Sequence, residues 1–140
     1  MSPESRRSAG ILLVILPTVI FGGVSILNFL INPTSGYMNN PLRQDLWRAG
    51  HAHAGVFLVL SLIALRYVDE TALSSGVKHF VRWAIPAAAI LLPVAFFLSV
   101  LSPTATEPNG LIYLAYVGAI VLAAGLITLG FGLIRRPRSE

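Results

Sequence analysis

Residues 11–31 read ILLVILPTVIFGGVSILNFLI, a run with no charged side chain and no histidine. A helix needs about 20 apolar residues to cross a hydrocarbon core. The run lacks the strict alternation of a barrel strand. It therefore predicts a membrane-crossing helix, which satisfies its own backbone hydrogen bonds in lipid. It is too long for the core of a signal peptide and has no small-x-small cleavage site, so retention is expected.

Three more predominantly apolar runs follow, at about 51–67, 80–101 and 111–134. The prediction is an all-α fold: an integral membrane four-helix bundle forming one transmembrane domain over residues 1–140. Charged residues make up 11% of the 140, against about 25% in soluble domains. That leaves too little polar surface to cover a globule in water. There is no cysteine, which excludes thiolate metal sites and thiol catalysis.

The net charge is +4, but the basic residues flank apolar runs and form no continuous basic face. No nucleic-acid partner is expected. Arg6, Arg7, Arg66, Lys78, Arg82, Arg135, Arg136 and Arg138 fall on one side of the expected topology. Only Arg43 and Arg48 fall on the other. The positive-inside bias places both termini and the second loop in the cytoplasm of a multi-pass cell-membrane protein. Short connections predict antiparallel neighbours. The first loop, 32–50, is the longest. Its segment Leu42–Arg48 is amphipathic and is expected at the membrane interface, with Trp47 as an anchor.

Helices in lipid associate through close packing. Ala115, Ala119 and Ala123, with Gly118 and Gly125 nearby, are candidate contacts on the fourth span. Ala84 and Ala88 are candidates on the third, and Gly22 and Gly23 on the first. Pro17, Pro86 and Pro93 are expected to kink their helices.

No span carries an Asp, Glu, Lys or Arg near its centre, which argues against an ion-coupled transporter. The informative polar segment is WRAGHAHAG, Trp47–Gly55. It sets His51 and His53 at the expected mouth of the second span. Neutral imidazole ligates haem iron, copper or zinc. Gly55 lies one helical turn beyond His51 and leaves room on that face for a flat macrocycle. His53 is about 200° away around a regular helix, so one metal ion cannot easily take both. In a loop it could. The alternative for both rings is hydrogen bonding to headgroups, water or backbone. Asn28 is read as the only amide deep within a span, so it needs a partner: another helix, or a substrate or cofactor. Tyr113 and Tyr116 fall on the same membrane side as the histidines. They are either interfacial belt residues or hydrogen-bonding and cation-stabilising phenols.

These residues resemble the small membrane isomerases typified by styrene oxide isomerase, and more distantly hydroxylaminobenzene mutase. The similarity lies in Phe21-Gly22 with Asn28, Gly36-Tyr37, Trp47, Arg48-Ala49, His53-Ala54-Gly55, Trp83-Ala84 and Leu101-Ser102-Pro103. The resemblance implies a homo-oligomer that binds haem b through a second-span histidine. It also implies rearrangement of an epoxide to a carbonyl compound, with a small apolar substrate delivered from membrane lipid. His51 and His53 are the candidate ligands and Gly55 a cofactor contact. Asn28, Tyr113 and Tyr116 are the candidate catalytic residues. The family has an Asn six residues after its ligand and a Tyr in the third span. Here Val59 or Phe57 stands at the first position, and no Tyr lies in 86–101. Two other functions compete: a membrane haem protein for electron transfer or gas sensing, and a cofactor-free accessory subunit.

Overall fold

A computed structural model of the chain describes residues 1–135, and all its regular structure is helical. Arg136 and Arg138, counted above in the charge asymmetry, lie outside the described residues. The four long helices are α1 (Pro3–Ile31), α2 (Pro41–Val68), α3 (Ser75–Ser99) and α4 (Leu114–Ile134), the last entered through a 3₁₀ turn at Gly110–Tyr113. With that turn counted into the fourth, all four are long and apolar enough to cross a membrane. α1 and α3 run unbroken through Pro17, Pro86 and Pro93.

The start of α2 differs from the sequence expectation. Pro41 occupies the first turn, where a missing N–H costs nothing. The Asn40 side chain accepts from the backbone N–H of Arg43 at 3.1 Å and caps the helix. The segment read as an interfacial stretch is therefore the first two turns of α2. His51 stands about 15 Å inside the helix rather than at its mouth. Trp47 is no interface anchor. It is 8% exposed, and its indole Nε1 donates to the Phe97 carbonyl at 3.2 Å.

α2 packs on α3, α1 on α2, and α4 on α3. α3 is the most enclosed helix and α1 the least. Polar contacts tie the ends of the bundle. At one end Asp69, just past α2, accepts from the Ser2 backbone N–H at 2.6 Å, the Ser5 hydroxyl at 3.1 Å and the Arg82 guanidinium at 2.7 Å. At the other, the Asn40 amide donates to the carbonyls of Pro103 and Ala105. Buried Arg43 donates to the Val100 carbonyl at 3.1 Å and lies 4.3 Å over the Trp47 ring.

α3 and α4 meet along glycine. Gly118, Gly125 and Gly132 are the buried small residues of α4, spaced every seven residues on one face. A methyl group at Gly125 would lie 3.0 Å from the Ala84 Cβ, and one at Gly132 2.7 Å from Leu73. Ala119 and Ala123, expected in this contact, are exposed. Ala84 and Ala88 of α3 are buried.

Candidate functional site

The two histidines lie on regular helix and face different neighbours. His51 turns toward α1. A Cβ on Gly23 would come within 3.0 Å of its Cε1 and Nε2, and one on Gly22 within 3.7 Å of its Nδ1. A methyl group would crowd the ring at Gly23 and make ordinary contact at Gly22. No side-chain or backbone group among the described residues hydrogen-bonds the His51 imidazole.

His53 turns toward α3. Its ring lies edge-on to Phe57 and tilted to Phe96, with both centroids 5.3 Å away. Its Nδ1 is 2.6 Å from the Ala49 carbonyl. A carbonyl can only accept, so Nδ1 carries the hydrogen. In the neutral ring Nε2 then keeps its lone pair. Metal-ligating histidines are oriented by this kind of bond.

Apolar space adjoins both rings. A groove of about 550 Å³ is lined by Val19, His51, Ala52, Gly55, Val56 and Val59, among others. A smaller recess of about 180 Å³ is lined by Ala52, His53, Val56 and Phe57. The two share Ala52 and Val56, so they form neighbouring parts of one α2 surface. Gly55 lines the groove, and a methyl group there would sit 3.7 Å from Val19. This surface brings together an oriented imidazole, small neighbours and no charged lining. Among the described residues no group of three or more His, Asp or Glu side chains could hold a bare metal ion.

The other sequence candidates do not join this surface. Asn28 is exposed on α1, one turn from the helix end, so it is not deep in a span. The neighbour expected for its amide is not found among the described residues. Tyr113 and Tyr116 stack on each other at 6.2 Å, and both are exposed. Neither lines a cavity that the histidines line.

A cluster that sequence reading did not single out lies one turn from His51. Phe29, Tyr37, Trp47 and Phe97 have ring centroids 5.5 to 6.0 Å apart in successive contacts. Tyr37 is 1% exposed and its hydroxyl has no partner. Burial pushes this phenol above its usual pKa range, against the opposing pull of Arg48 and Arg43. The available signal was the aromatic content of the first loop and the Gly36-Tyr37 pair.

Comparison with protein-family models, with curated proteins and with solved structures gives no match to this chain.

Proposed function

We propose that the chain is a multi-pass cell-membrane protein that holds haem b through Nε2 of His53. Its helices run antiparallel, and both termini are cytoplasmic. The contacts of Ser2 with Asp69, and of Trp47 with Phe97, support the antiparallel arrangement, and the excess of Lys and Arg on one side supports the orientation. The observation that carries the haem reading is the Nδ1–H bond from His53 to the Ala49 carbonyl. It fixes the tautomer and leaves an electron pair at Nε2 for iron. His51 is the weaker ligand, because its Nε2 faces the backbone of α1 at Gly23.

Bound haem supplies a Lewis acid for an epoxide oxygen, or a one-electron carrier. The chain supplies the rest. Ala49 holds the imidazole, and Phe57 and Phe96 wall it in. Val56 and Val59 keep water from the apolar surface on which a lipid-borne substrate arrives. The recess beside His53 is open at the surface of a single chain, and a second copy in a homo-oligomer closes it.

Asn28, Tyr113 and Tyr116 line none of the cavities that the histidines line, which favours a second reading. In it the protein binds haem for electron transfer or gas sensing and does not isomerise epoxides.

The test is the visible spectrum of detergent-purified protein from haem-replete cells. A Soret band is expected in the wild type and in His51→Ala, and its loss or displacement in His53→Ala. Absence of the band from the wild type would remove the haem reading. Anaerobic incubation of the haem-loaded protein with an aryl epoxide then separates the two chemistries, since only an isomerase gives aldehyde.

A further inference from the structure

α1 and α3 both pack on α2, but few backbone contacts join them to each other. A furrow is left between them, and two recesses deepen it in succession. The first, at the end tied by Asp69, is about 60 Å³. It is lined by Ser8, Ile11 and Leu12 of α1 and by Arg82, Trp83 and Pro86 of α3. The second, of about 230 Å³, continues through Ile15 and Val19 on α1 and Ile90 and Val94 on α3. Steps of three and four residues keep each helix on one face along the furrow. From Ser8 to Val19 it runs about 16 Å, and one leaflet of a bilayer core is about 15 Å deep.

The furrow is apolar along its length and polar at its mouth. Nε and Nη2 of Arg82 are taken by Ser5, Ser2 and Asp69. Its Nη1, the Ser8 hydroxyl and the Trp83 indole N–H have no partner among the described residues, and all three side chains line the first recess. Charged and neutral donors converging above an apolar line fit a phosphate ester that carries a fatty chain. One turn further out stand His79, its ring 6.3 Å from that of Trp83, and Glu4, four residues before Ser8 on the same face of α1. Both are exposed.

The charges narrow the headgroup. Asp69 already pairs with Arg82 at 2.7 Å, and Lys78 reaches back to the Asp69 carbonyl. Arg7 lies about 100° around α1 from Ser8, off this face. With Asp69 and Glu4 set against Arg82 and Lys78, the mouth has no excess of positive charge. A headgroup that also carries an ammonium gives Glu4 a partner. We infer that the furrow between α1 and α3 holds a phospholipid whose headgroup joins a phosphate to a primary ammonium. The phosphate takes the hydrogen bonds of Arg82, Ser8 and Trp83, the ammonium pairs with Glu4, and one acyl chain lies along the furrow. Glu4 and Ser8 are about 6 Å apart along the helix, a span that a two-carbon link between phosphate and amine can bridge. The site requires only that the helices cross a bilayer. It stands with or without haem at His53, whose recess shares no lining residue with it.

The test is native mass spectrometry of the detergent-purified full chain, titrated with dioleoyl phosphatidylethanolamine, phosphatidylcholine or phosphatidylglycerol. The phosphatidylethanolamine adduct is expected to exceed each of the others at least fivefold. Glu4→Gln is expected to lower it to the phosphatidylcholine level. Glu70→Gln, which alters a carboxylate paired with Arg66, is expected to leave it unchanged. Ser8→Leu fills the first recess and is expected to weaken the adduct at least tenfold. Ile11→Trp gives the same reading one turn deeper if Ser8→Leu does not fold. The Soret band is scored on the same samples, so each reading can fail alone. Equal adducts of the three lipids would overturn the inference, as for an unselective annulus. So would a phosphatidylglycerol adduct above the phosphatidylethanolamine one, a preference that survives Glu4→Gln, an adduct unchanged in both filled variants, or no adduct at all.

Discussion

Tyr37 shows how much a single residue can hide from its neighbours in sequence. Its hydroxyl is buried without a partner, a condition that costs on the order of 1–3 kcal/mol. Tyr37→Phe removes the stranded group and keeps the stack on Phe29 and Trp47. It is expected to stabilise the protein by about 1 kcal/mol, read as a higher unfolding midpoint in mixed micelles. A drop instead would mean that the hydroxyl bonds something essential. At this scale the sequence was partly legible. The imidazoles of His51 and His53 stand out by type alone. Their directions do not, because the residues that decide them, Gly23 and Phe96, lie about thirty and forty positions away on other helices. Trp47 misleads for the same reason: its partner, the Phe97 carbonyl, is on α3.

At the level of the helix, apolar runs gave the number and rough extent of the four elements. They missed where α2 starts, because the hydropathy of Leu42–Arg48 is low while its helix-forming tendency is not. Asn40-Pro41, inside the segment expected as the first loop, is a helix cap and a first turn. The packing face of α4 was also misjudged. Alanines at four-residue spacing look like a contact stripe, but the seven-residue spacing of Gly118, Gly125 and Gly132 turns one face toward α3 and, at Gly132, toward the loop residues Thr71 and Leu73 that lead into it. Gly125→Val places branched atoms against Ala84 and Ile85, neither of which has a flexible end to withdraw. Overpacking of this kind costs about 1–3 kcal/mol. The variant is expected to lower the unfolding midpoint, while Gly130→Ala, with open space around its Cβ position, leaves it nearly unchanged.

Across the whole molecule, the order of the chain is held by contacts at its ends. Asp69 gathers α1, α2 and α3. Burial alone would raise its pKa. The Ser2 N–H, the Arg82 guanidinium and the Ser5 hydroxyl outweigh burial and hold it at about 2. The folded pKa lies below the unfolded value of 3.8. The associated stability is therefore complete above about pH 4 and disappears as the pH falls through 2. Asp69 is expected to contribute about 1–2 kcal/mol. Asp69→Asn should be less stable at neutral pH, and its stability should change less between pH 4 and 2. A pH profile parallel to the wild type would show that the contact carries no such coupling. The topology has a direct test, because the chain has no cysteine of its own. A single cysteine at position 72 is expected to react with an impermeant thiol reagent only after the cytoplasmic face is exposed. One at position 104 should react in intact cells. The reversed pattern would invert the orientation.

The groove beside His51 opens on a surface of exposed Val56, Val59 and Ile63. On the proposed function, a ligand of this surface comes from the bilayer, where its concentration follows its oil–water partition coefficient. Each added methylene enriches a compound there about fourfold, the equivalent of about 0.8 kcal/mol. Apparent affinities quoted per mole in water will therefore climb along any homologous series, even if the protein is indifferent to chain length. Selectivity belonging to the groove itself emerges only when occupancy is expressed as mole fraction in the lipid.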